Sequence, residues 1–173
     1  MPGHRYAALL RAVNVGGTGK LSMGELREAC EVAGFRDART YIASGNVVFT
    51  SSLGERAVAS HLGSAVETRI GKRVEVLVRN AEQLRQVIEA NPFPDAAGNR
   101  LMVVFLAAAP APETLTAVRK VTDERIALGE REVYVHYPSG VGRSKLVLPW
   151  SAEGTARNFN TVSALAELAA GLP

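Results

Sequence analysis

Arg39-Thr40-Tyr41-Ile42-Ala43-Ser44-Gly45-Asn46-Val47-Val48-Phe49-Thr50 is the stretch that decides the fold. Arg39 to Ile42 and Asn46 to Thr50 read as two short strands joined through Ser44-Gly45-Asn46, a turn in which Gly or Asn takes positive φ. Helical patterns flank this hairpin on both sides. Upstream, Ser22 and Glu25 form a Ser-x-x-Glu capping box, Leu26, Cys30 and Ala33 recur at helical spacing, and Gly34-Phe35 supplies the stop. Downstream, Ser52 and Glu55 form a second box, and Val58, Leu62, Ala65 and Val66 make an apolar stripe ending before Gly71. Further out lie an apolar strand-like run over 5–13 and the alternating Val74, Val76 and Val78, ending at Arg79. The order β-α-β-β-α-β is that of a ferredoxin-like unit, in which two helices cover one face of an antiparallel sheet.

The second half repeats this order loosely. Asn80 and Gln83 begin a third capped helix carrying Leu84, Val87 and Ile88 on one side, and Asn91-Pro92 ends it because proline removes a donor. A strand follows at Leu101 to Leu106, and Pro110 and Pro112 bracket the start of a helix through Leu115 and Val118. Arg125 to Leu128 and Glu132 to Tyr137 read as strands around Gly129-Glu130, and a last helix is expected from Thr155 to Ala170. The expected fold is α+β: two ferredoxin-like (βαββαβ-type) subdomains, 1–79 and 80–173, packed together without a low-complexity linker.

At 173 residues, 47% hydrophobic and 21% charged, the chain has a globular composition, which excludes intrinsic disorder. The longest apolar run, Leu101 to Ala109, stops at Pro110, far short of the ~20 residues of a membrane span. Arg11 interrupts the N-terminal apolar stretch, so no secretory signal is expected. Cys30 is the single cysteine, no internal disulfide can form, and the expected compartment is the reducing cytoplasm. The net charge is +3, and residues 1–24 hold Arg5, Arg11 and Lys20 with no acid, leaving 17 basic and 17 acidic residues in the rest. Between Val133 and Asn160, Arg143, Lys145 and Arg157 face only Glu153 in the charge count. Two basic regions that met in space would attract anions; scattered surface charge is the plain alternative.

Gly16-Gly17-Thr18-Gly19-Lys20 fails as a phosphate-cradling P-loop, since Asn14 stands where the first glycine belongs and Leu21 follows the lysine. Two readings remain: an anion held by Lys20 and the amides near Gly16 and Gly17, or a structural turn capped by Ser22. Gly142-Arg143-Ser144-Lys145 and Gly154-Thr155-Ala156-Arg157-Asn158 combine cation, hydroxyl and glycine, groups that hold phosphate or carboxylate through charge-assisted hydrogen bonds. Thr155 to Asn158 also open the expected last helix, whose free amides favour anions; equally, Thr155 caps it, Arg157 pairs with Glu153, and Asn158 satisfies buried backbone. His4, His61 and His136 lack metal-ligand spacing and Cys30 sits on the core face of its helix, so no metal site is expected. Ser44 lacks a nucleophile elbow, and His136 and Tyr137 are either proton donors or a buried aromatic edge; the catalytic residues stay unknown.

Leu9-Leu10-Arg11-Ala12-Val13-Asn14-Val15-Gly16-Gly17, Arg39 to Phe49, Asn91-Pro92-Phe93-Pro94 and Val103 to Leu106 stand in order, followed by Tyr134 to Pro138, Gly142 to Leu146 and Thr155 to Val162. This ordered set resembles the domain of unknown function 1697 family of uncharacterised bacterial proteins, from about Arg5 to Leu168. The resemblance implies two ferredoxin-like subdomains and carries no activity or cofactor. Ala12, Val13, Phe159 and Ala164 depart from the family pattern, the last removing a usual lysine. Arg11, Asn14, Ser44, Asn46, Arg143, Ser144, Lys145, Arg157 and Asn158 match motif positions. The expectation is a cytoplasmic protein binding a small anionic, phosphate-bearing ligand in a polar site between the subdomains, with Gly16, Gly17, Lys20 and Thr155 added to those residues. An RNA- or single-strand-binding module is the second reading, and an enzyme using Ser44, Asn46, Arg143 and Tyr137 the third. Monomer and homodimer both fit.

Overall fold

The computed structural model describes residues 3–11, 21–42 and 45–173. Two compact units form, Met1–Leu84 with Ala164–Pro173, and Arg85–Ser163. The sequence boundary after residue 79 thus becomes a division five residues later, with the chain's last ten residues returning to the first unit.

In the first unit β1 (His4–Leu10), α1 (Met23–Val32), β2 (Arg36–Thr40), β3 (Asn46–Ser51), α2 (Glu55–Ile70) and β4 (Val76–Asn80) follow in the expected order. The sheet runs β2-β3-β1-β4, antiparallel throughout, with β3 inserted between the strands that α1 connects. Alternation along β1 puts Tyr6, Ala8 and Leu10 on the helix-covered face, where they meet Leu26 and Cys30 of α1 and Val58, Leu62 and Val66 of α2. Phe35 stacks on Phe49 with ring centroids 4.3 Å apart. The Ser22–Glu25 box forms reciprocally at 3.0 and 3.2 Å, and α1 ends with Gly34 at φ 86° and the Phe35 amide donating to the Cys30 carbonyl.

Two local expectations change. The Ser52–Glu55 box is absent: the Ser51 hydroxyl instead accepts the Leu53 amide, which delays the helix until Gly54 caps it without a side-chain bond. β2 lies about three residues earlier than expected, because Ile42 takes φ 54° and leaves the strand, while a register shift between Arg36 and Arg39, with Asp37 at φ 56°, extends it backwards. Cys30 is fully buried, on the core face as expected.

The second unit uses the same strand order. β5 (Leu101–Phe105), β6 (Arg125–Leu128), β7 (Glu132–His136) and β8 (Thr155–Asn158) form an antiparallel sheet β6-β7-β5-β8. α3 (Ala81–Glu89) enters it, opened by a reciprocal Asn80–Gln83 box at 2.8 Å, and α5 (Phe159–Ala170) leaves it. The expected helix after Pro112 is one turn, α4 (Glu113–Thr116), and two 3-10 turns, Val141–Arg143 and Pro149–Glu153, replace a second helix. Met102, Val104, Val133, Val135 and Ile126 on one sheet face pack against Leu146, Leu148 and Trp150 from that irregular segment. Thr155 to Asn158 do not open the last helix. They pair with β5, Phe105 opposite Thr155 and Val103 opposite Arg157, and Asn158 caps α5 by accepting the Thr161 amide at 2.9 Å. The molecule is α+β, with two four-stranded antiparallel sheets in two similar ferredoxin-like halves.

Candidate ligand-binding site

Arg125 of β6 lies opposite His136 of β7, so the next residues outward, Glu124 and Tyr137, emerge side by side on the other face of the sheet. Beyond Tyr137 the chain turns at Gly140, which takes φ 92°, and its amide donates to the Tyr137 carbonyl at 2.9 Å. The 3-10 turn then brings Arg143 and Ser144 back over Glu124. These three segments, with Thr122, Asp123 and Ser139, enclose a pocket of about 440 Å³.

Glu124 is only 8% exposed and is held from two sides. The Ser144 hydroxyl donates to Oε1 at 2.5 Å, and the Thr122 amide donates to Oε2 at 2.7 Å. The Ser144 bond first, then the Thr122 amide, pull its carboxyl pKa down to about 2. Such a carboxylate is a poor proton acceptor at neutral pH, so its chemistry is that of a fixed negative acceptor rather than a general base. Asp123, exposed beside it, accepts the Ser139 hydroxyl at 2.5 Å. Burial, followed by the Glu124 charge, pushes the Tyr137 phenol up, so it stays protonated and a donor. Arg143 and Lys145 are exposed, and among the described residues neither side chain has a hydrogen-bond or ion-pair partner.

Of the sequence-predicted residues, this pocket gathers Arg143 and Ser144, with Lys145 following directly. Thr155, Arg157 and Asn158 lie on β8, at the opposite edge of the sheet from β6, and do not line it. Arg157 donates to the Thr155 hydroxyl at 2.6 Å and to the Ala156 carbonyl at 3.0 Å, and burial lowers its pKa to about 10. In the first unit Arg11 reaches Glu75 at 3.4 Å, and Asn46, 1% exposed, donates to the Tyr41 carbonyl at 3.1 Å, closing the hairpin. Asn14, Gly16, Gly17, Lys20 and Ser44 lie outside the described residues. Thr122, Asp123, Glu124 and Ser139 were missed in the sequence, where nothing but the pairing of β6 with β7 ties them to Arg143.

A larger pocket of about 660 Å³ lies in the first unit, lined by Arg5, Arg36, Asp37, Thr50, Asn80 and Glu82 among others. Several of its polar groups serve the fold: Arg5 donates to the Ala170 carbonyl, Thr50 to the Arg36 carbonyl, and Asn80 caps α3, while the exposed Arg36 guanidinium has no partner among the described residues. The smaller pocket is the one that gathers the sequence-predicted Arg143 and Ser144, which makes it the candidate site. Among the described residues no three His, Cys, Asp or Glu side chains are grouped to hold a metal ion.

The family model described as a protein of unknown function, DUF1697, matches residues 4–134. The chain belongs to the DUF1697 family. The matched segment of this DUF1697 chain includes Thr122 to Glu124 and ends before Arg143 and Ser144. The conserved bacterial protein SP0830 from Streptococcus pneumoniae is similar in fold, with a TM-score of 0.81 at 23% identity over 96% of this chain and 99% of that one. No curated protein matches the DUF1697 chain. Among its described residues no helix is long and apolar enough to cross a membrane.

Proposed function

We propose that this DUF1697 chain binds a small phosphate-bearing ligand in the pocket of its second unit, with Arg143 as the anion contact and Lys145 beside it. One observation carries the reading: the Arg143 guanidinium is unpartnered among the described residues, at a pocket whose two carboxylates already receive hydroxyls of the protein. In this reading Glu124, its pKa lowered to about 2, serves as a fixed acceptor in the pocket wall rather than as a general base. The nucleic-acid reading loses support at the sheets. Every Phe and Tyr ring carried on the eight strands (Tyr6, Phe49, Phe105 and Tyr134) is at most 4% exposed, leaving no platform there on which bases stack. A reducing cytoplasm suits Cys30, the single cysteine, whose thiol burial pushes up to about 12.

Calorimetric titration with inorganic phosphate and phosphate monoesters tests this. Wild type is expected to bind, and Arg143→Ala to lose about 1.5–3 kcal/mol, the worth of a hydrogen bond to a charged group. Equal affinities in the two proteins would remove Arg143 from the site and overturn the assignment.

A further inference from the structure

Resting on that reading, we infer that the ligand of this pocket is a polyhydroxylated phosphate ester, a sugar or polyol phosphate, rather than a bare phosphate or an apolar ester.

The charge of the lining sets the problem. Asp123 and Glu124 stand against Arg143 alone, so the pocket lining carries a net negative charge. An inorganic phosphate drawn to Arg143 gains one cation and faces two carboxylates, each opposing it. A ligand that also offers neutral donors to those carboxylates offsets the repulsion, because a hydroxyl hydrogen-bonds to a carboxylate without adding charge. The protein already displays this chemistry at both acids. Ser139 meets Asp123 and Ser144 meets Glu124, each hydroxyl oxygen 2.5 Å from the carboxylate oxygen.

The two acids are not equivalent. Glu124 is buried and committed to Ser144 and the Thr122 amide, so it fixes the wall of the pocket. Asp123 and Ser139 are both exposed, and the Asp123 carboxylate has more acceptor positions than its protein donors fill. Asp123 is therefore the reader of ligand hydroxyls, with Arg143 the reader of the phosphate. Tyr137 supplies the only aromatic ring of the lining and is 9% exposed, too little to stack a nucleobase. A volume of about 440 Å³ sits in the range that encloses a small ligand.

Titration of the full chain with glucose-6-phosphate, ribose-5-phosphate, glycerol-3-phosphate, butyl phosphate and inorganic phosphate separates the two layers of the argument. The expected result is that the tightest hydroxylated ester binds about tenfold or more tighter than butyl phosphate, which has the same charge and no hydroxyls. Asp123→Asn is expected to erase that preference, with butyl phosphate binding as tightly or tighter because one opposing charge is gone, and Ser139→Ala, which vacates an Asp123 oxygen without removing the carboxylate, to preserve it. Equal binding of hydroxylated esters and butyl phosphate, both lost in Arg143→Ala, overturns the polyol inference and leaves the phosphate reading standing. Binding that ignores Arg143, or no binding by any of the five, overturns both.

Discussion

Glu124 shows how one residue's environment fixes both stability and chemistry. Its carboxyl is lowered from an ordinary 4.5 to about 2 by the Ser144 hydroxyl and the Thr122 amide. A depressed folded-state pKa means that the unfolded chain takes up the proton first as pH falls. The stabilisation by Glu124 is therefore fully present above about pH 4.5 and disappears as pH drops towards 2. Glu124→Gln removes the titration, so the difference in urea midpoint between wild type and variant should shrink steadily over that window. A difference that stays constant from pH 5 to 2 would show that the carboxylate is not held as described. Asp95 is lowered too, first by its hydrogen bond from Arg125, and Glu25 by its capping role, but both remain in either protein and cancel in the comparison.

At the scale of elements, β8 and the start of α5 are held by contacts that a local reading does not contain. Gly154 precedes β8 where an added Cβ would sit 2.4 Å from the Phe105 carbonyl oxygen and 2.8 Å from the Leu106 side chain. Gly154→Ala must push the strand off β5, and the expected cost is about 1–3 kcal/mol, the range for forced overpacking. Asn158→Ala removes the cap from the Thr161 amide and should cost about 1 kcal/mol. Urea unfolding at neutral pH reads both, and an unchanged midpoint in Gly154→Ala would contradict the close approach. The same pair explains what was legible. The Ser22–Glu25 and Asn80–Gln83 boxes were readable because both partners lie within four residues, and the β-α-β-β-α-β order followed from them and from alternation. Thr155 to Asn158 misread as helix because their strand state comes from pairing with Met102 to Phe105, fifty or more residues away. Ser144 was read as a ligand contact, and its proximity to Glu124 depended on the β6–β7 register in the same way.

Across the whole molecule, two units share one strand order but cover their sheets differently. The first lays α1 and α2 over Tyr6, Phe49 and Leu10, so that its core is closed by regular helices with their own backbone bonds. The second covers Val104, Val133 and Val135 with Leu146, Leu148 and Trp150 from a segment of 3-10 turns, and those three side chains are only partly buried. Regular helices form cooperatively, whereas short 3-10 turns have poorer hydrogen-bond geometry and fewer bonds to lose at once. The covering segment of the second unit should accordingly open at lower cost than the helices of the first. Trp150, the single tryptophan, reports on that segment, its indole N–H donating to the Thr114 carbonyl at 3.1 Å. Far-ultraviolet circular dichroism is dominated instead by α1, α2, α3 and α5. In urea, Trp150 fluorescence is expected to change at a lower midpoint than the dichroism. A phosphate ester bound at Arg143 should draw the two midpoints together, since a ligand of the folded pocket stabilises the segment that builds it. Coincident transitions without ligand would mean that helices and turns open in one step, and that the irregular cover is as firmly held as the helical one.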